Sequence, residues 1–97
     1  MDNELKLAAT IAVAALGNRR ISSLGSGVYA EAATYAAGEK VEGVVVRPGE
    51  VEVHIVAAYP LSRPIPELVA AVREHVAPEV EGRRVVVAVD DLEVAGE

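Results

Sequence analysis

The order of elements in the second half of the chain constrains the fold most. A Val-rich hairpin from Val41 to Tyr59, a proline-opened amphipathic helix from Ile65 to Val80 and a Val-rich strand from Arg84 to Asp90 follow one another without a long linker. A helix linking two strands of one sheet crosses over one face of that sheet. Val51, Val53, Ile55, Ala57 and Tyr59 alternate with Glu52 and His54, so the first set is expected to face the helices and the second to face away. Pro48-Gly49 supplies the hairpin turn, and Pro60, Pro64 and Pro66 end the strand. Pro66 suits the first turn of a helix. Ile65, Leu68, Val69, Val72 and Val76 recur at helical spacing as a buried stripe, with Glu67, Arg73 and Glu74 on the wet face and Gly82 at the exit.

The first half is less regular. A helix is predicted from Asn3 to Leu16, capped by Asp2 or Asn3, with Leu5, Ala8, Ala12 and Ala15 as its stripe, Ile11 beside them and Gly17 at its end. Arg19 and Arg20 fall on a loop or the edge of a short strand, and Leu24-Gly25-Ser26-Gly27 reads as a flexible turn. Residues Val28 to Tyr35 alternate weakly, and the reading is an edge strand; the alanines there keep a short helix in competition. Residues 1–97 are thus expected to form one α+β domain, a two-layer sandwich ordered helix, short edge strand, β-hairpin, helix, β strand. Its small mixed sheet carries both helices on one face.

Composition makes this core thin. The chain is 52% hydrophobic, yet it has no Phe, no Trp and one Met, so burial rests on Ala and Val. Such side chains bury little area at about 25 cal/mol per Å², while ordering a residue costs roughly 1.5 kcal/mol. Burial between subunits is the natural remedy. The last strand reads Val85-Val86-Val87-Ala88-Val89, apolar on both faces, whereas the helices suffice for one. Val86 and Ala88, with Val56 and Ala58 and their neighbour His54, are therefore the expected self-association or partner face. Glu93 to Glu97 reads as a frayed acidic end.

A net charge of −6 disfavours nucleic acid, which needs a basic stripe, and direct docking on anionic lipid. The chain has no cysteine, which removes disulfides and thiolate metal sites and fits a cytoplasmic protein. The apolar stretch 7–16 follows Asp2 and Glu4 and is short of the roughly 20 residues that span a bilayer, so it reads as a buried helix.

Few residues suggest chemistry. His54 and His75 lack metal-ligand spacing and read as solvated surface histidines. Asp90-Asp91 with Glu93 lacks the alternating ligands and glycine of a calcium loop, and an acidic strand end that blunts edge pairing is preferred. Gly25-Ser26-Gly27 near Arg19 and Arg20 is a weak phosphate signal and is read as a connector. Ser22, Ser23 and Ser26 have no evident general base. Tyr29 and Tyr35 suit packing or an interface, and with Arg19 and Arg20 they form the candidate partner loop. No catalytic residue, cofactor or metal is expected.

The Ala-rich first helix, Val41-x-Gly43-Val44-x-Val46, Val51-x-Val53-x-Ile55-Val56, Ile65-Pro66-Glu67-Leu68 and Val85-x-Val87-x-Val89 together resemble the alkaline shock protein family of envelope stress response proteins. Thr34-Tyr35 to Gly38, followed by Val41-x-Gly43-Val44, is similar to the actinobacterial branch. The resemblance covers roughly Leu7 to Val94 and implies an abundant, non-enzymatic cytoplasmic protein linked to cell-envelope stress; some members of the family self-associate and are held at the membrane's inner face by a separate membrane-spanning partner. The chain lacks the long charged tails of typical members. The competing reading is a small acidic ligand- or protein-binding module. It would share helix-strand-strand-helix-strand order with KH domains but lack their GxxG loop and basic face.

Overall fold

Alternating and helical apolar periods each find a surface to bury against in the computed structural model, which describes residues 3–18, 20–25, 32–36, 38–59 and 64–94. Among these residues the elements are α1 (Asn3–Leu16), β1 (Ile21–Leu24), β2 (Ala33–Ala36), β3 (Glu39–Glu42), β4 (Val44–Arg47), β5 (Glu50–Tyr59), α2 (Ile65–Val76), a 3-10 turn (Ala77–Glu79) and β6 (Arg84–Val94). The fold is α+β. Strand β5 is its spine: β6 pairs with it in parallel, while β4 and β1 pair antiparallel with its first and second halves. Val51, Val53, Ile55 and Ala57 are fully buried on one face of β5. There they form one core with Ala8, Ile11 and Ala15 of α1 and Leu68, Val72 and Val76 of α2.

Several expectations need correction. The described part of the predicted edge strand Val28 to Tyr35 does not join the main sheet. Residues 28–31 lie outside the described residues, and Ala33–Ala36 pairs with β3 in a separate two-stranded sheet. The first arm of the predicted hairpin is two strands, because Gly43 (φ 88°) breaks it between β3 and β4. A Cβ there would meet Leu24 Cβ at 2.6 Å and the Gly25 carbonyl oxygen at 2.9 Å, so position 43 needs a glycine for both space and backbone. Thr34 fastens the small sheet to the large one: its hydroxyl donates to the Val44 carbonyl at 2.6 Å and accepts from the Val46 amide at 3.3 Å.

The stripe of α1 is rotated from the expected one, since Ala8, Ile11 and Ala15 are buried while Leu5 and Ala12 are half-buried. Tyr59, at the end of β5, is exposed rather than covered by a helix. The second helix stops at Val76 and yields to the 3-10 turn that contains Pro78. Strand β6 does not end at Asp90 but runs to Val94, so Glu93 and Val94 are ladder residues. The Ser22 hydroxyl donates to the Glu93 carboxylate and ties that end down. Residues 95–97 lie outside the described residues.

Candidate functional site

The side of the sheet away from the helices carries the alternate residues of three strands: Val45 and Arg47 from β4, Glu50, Glu52, His54, Val56 and Ala58 from β5, and Arg84, Val86 and Ala88 from β6. Val56, Ala58, Val86 and Ala88, singled out in the sequence as an association face, are all half-buried on this side, but charged residues interleave them: Val86 and Ala88 pair with Glu52 and His54, and Val56 and Ala58 with Asp91 and Glu93. His54 lies among them, but it is not a solvated histidine. It is 8% exposed and held by two carboxylates.

Two backbone features put it there. The His54 amide donates to the Gly43 carbonyl and the Gly25 amide donates to the His54 carbonyl, each at 2.8 Å, so His54 sits where β4 hands over to β1 along β5. On the other side the register of β6 shifts between the partners of Ile55 and Val56, which leaves Asp90 as the extra residue of a β-bulge. The bulge turns the Asp90 carboxylate onto His54 Nδ1 at 3.0 Å. Gly25 makes room for it, since a Cβ at that position would overlap the Asp90 side chain. Asp90 is therefore ion-paired to His54 as well as standing at the acidic strand end.

The contacts continue as one chain of alternating charge. His54 Nε2 meets Glu52 Oε2 at 2.5 Å, and Arg47 donates to Glu52 Oε1 at 2.8 Å. Arg47 also reaches Glu50 at 3.3 Å, and Arg84 donates to Glu50 at 2.6 Å. Both ring nitrogens of His54 face carboxylates, an arrangement that the doubly protonated imidazolium satisfies with two donated bonds. Burial opposes the charge, but the hydrogen bonds to Asp90 and Glu52 outweigh it and raise the imidazole pKa above its ordinary value. The Arg47 bond, aided by His54 and opposed by burial, holds the Glu52 carboxyl below its ordinary range.

The sign of the pH dependence follows. A pKa raised on folding stabilises fully below the unfolded value near 6.5, and that stability is lost as pH rises through the folded value. A carboxyl pKa lowered on folding stabilises above about 4.5, and its share is lost as pH falls through the folded value. Melting temperature measured against pH is expected to fall as pH rises above about 6.5 in the wild type. His54→Gln, which cannot titrate, is expected to flatten that alkaline limb. An unchanged limb in the variant would remove His54 as its cause.

With both nitrogens occupied by carboxylates, His54 has none left to take a proton from a nucleophile. No group of three His, Cys, Asp or Glu side chains among the described residues is arranged to hold a metal ion. A cleft of about 400 Å³ lies between α1 and the 3-10 turn, lined by Lys6, Leu7, Thr10 and Glu79 among others. The Thr10 hydroxyl there is already spent on the Lys6 carbonyl at 3.0 Å.

The candidate partner loop is only partly described. Arg19 and Tyr29, with Ser26 and Gly27 of the glycine turn, lie outside the described residues. Arg20 precedes β1, its carbonyl accepting from the Ala58 amide at 2.7 Å, and its Nη1 is buried without a partner among the described residues. Tyr35 stands 62% exposed on the separate β2–β3 hairpin. His75 is exposed on α2, as the sequence indicates. The ion-pair chain itself escaped sequence reasoning. Its one legible signal was the row Arg47, Glu50, Glu52 and His54 on alternate positions around a turn.

The fold defines a small α+β sandwich whose open sheet face holds a chain of ion pairs from Asp90 to Arg84. No protein-family model, no curated protein and no solved structure matches the chain. No helix among the described residues is long and apolar enough to cross a membrane.

Proposed function

We propose that this protein is a non-enzymatic, self-associating interaction module of the envelope stress response. It acts in the cytoplasm and reaches the inner face of the membrane through a membrane-anchored protein partner. The observation that carries the interaction role is the outer sheet face, where half-buried Val56, Ala58, Val86 and Ala88 surround a histidine saturated by carboxylates. A face of this kind interleaves apolar side chains with charges fixed by ion pairs, which suits protein contact. The thin Ala and Val core supports the same reading, because assembly adds burial that the single chain lacks. The envelope role is supported by the sequence resemblance alone.

Light scattering at micromolar concentration is expected to give at least a dimer. A strict monomer across that range would rule the reading out and favour the alternative of a small acidic binding module. The cleft beside α1 would then be the first place to test.

A further inference from the structure

Strand β6 is bonded along one side to β5, and among the described residues no strand pairs with its other side. Residues Val85 to Val89 all retain partial exposure. An edge of this length presents a row of backbone donors and acceptors that can pair with another strand once the exposed Arg73 side chain, which donates to the Val85 carbonyl at 3.4 Å, swings aside. The sequence along it is self-complementary. Arg83 and Arg84 stand at one end, Asp90 and Asp91 at the other, and Val85-Val86-Val87-Ala88-Val89 lies between them.

We propose that two copies of the chain join β6 to β6, antiparallel, about a two-fold axis through Val87; the inference rests on the self-association reading above. With Val87 opposite itself, Arg84 stands opposite the partner's Asp90, Val85 opposite the partner's Val89 and Val86 opposite the partner's Ala88. Opposed residues of an antiparallel pair lie on one face of the sheet. A centre on a residue therefore keeps Val85, Val87 and Val89 with the helix side and Arg84, Val86, Ala88 and Asp90 with the outer side. Each end of the ribbon then gains opposite charges, and cross-strand pairs of this kind favour association. Arg84 is 75% exposed at its side chain and reaches Glu50 through one nitrogen, and a guanidinium has five donors. Asp90 keeps its bond to His54, since a carboxylate accepts at both oxygens.

Neighbouring registers are worse. An axis at Ala88 sets Val86 opposite the partner's Asp90, which leaves a carboxylate against apolar strand at each end. An axis at Val86 sets Arg84 opposite the partner's Ala88 and Asp90 opposite the partner's Gly82, which loses the charge pair at each end. The charge pattern thus selects a second copy as occupant and one register for it. The product is a continuous sheet with the outer faces of both copies side by side.

The chain has no cysteine, so introduced thiols report the register directly. Paired Cα atoms of an antiparallel ribbon lie about 4.5–5.5 Å apart, within disulfide reach. Val87→Cys is expected to form a covalent dimer on mild oxidation. Val86→Cys and Ala88→Cys are each expected to stay unlinked alone and to link when mixed. Arg84→Gln is expected to weaken the dimer by about tenfold, because it removes a charge pair at each end. If the wild type is dimeric but neither Val87→Cys nor the mixed pair links, the edge assignment is wrong and self-association stands. Equal linking of Val86→Cys alone and Val87→Cys would also overturn the register. A wild type that is strictly monomeric overturns both this inference and the reading beneath it.

Discussion

Val72→Asp is expected to unfold the protein. Val72 is fully buried on α2, in one core with Leu68 and Val76 of its own helix and Val51, Val53 and Ile55 of β5. A carboxylate there has no described cation or hydrogen-bond donor in the core and must either stay charged in an apolar medium or take up a proton at a cost. The loss is about 4–5 kcal/mol, against a total of roughly 5–15 kcal/mol for a domain of ordinary stability. The small side chains of this core place the protein near the lower end. Circular dichroism at 25 °C is expected to show loss of the cooperative melt, and Val72→Ala is expected to retain a lowered one. A Val72→Asp protein that melts like the wild type would mean that α2 is turned the other way.

Gly43→Ala carries the second largest effect, for two separate reasons. The residue holds φ at 88°, where an L side chain is strained by about 1–2 kcal/mol. The new methyl also meets Leu24 Cβ at 2.6 Å and the Gly25 carbonyl at 2.9 Å, and such overpacking costs typically 1–3 kcal/mol. The sum is about 2–5 kcal/mol. Gly38→Ala separates the two contributions, because Gly38 has a similar φ of 84° and nothing within 4 Å of its missing Cβ. Chemical denaturation is expected to show Gly38→Ala losing only the backbone share. Equal losses at both positions would show that the crowding at Gly43 is relieved at no cost.

Gly43 also marks the limit of what periodicity reveals. The run from Val41 to Val46 reads as one strand because its side-chain pattern is continuous in hydrophobicity. A single positive φ nevertheless sends its two halves to different sheets, with Thr34 bonding across the join. Likewise the alternation around His54 correctly put Glu52 and His54 on the outer face. It left the histidine solvated, because the group that covers it comes from Asp90, a residue 36 positions away. That contact depends on a bulge, and a bulge shifts register by one residue without leaving a mark in the apolar pattern.

What the sequence by itself determined is the set of elements whose burial is periodic. These are α1, α2, the spine β5 and the apolar stretch of β6, together with their order and the placement of both helices on one face. Periodicity suffices there because each element must turn one apolar side to the same core. The split of the first hairpin arm, the existence of β1, the length of β6 and the charge chain from Asp90 to Arg84 were decided only by tertiary structure. Each depends on backbone conformation at one residue or on contacts between residues distant in sequence. Local propensity carries no term for either, since the stabilising contact forms only after the sheet has brought its partners together.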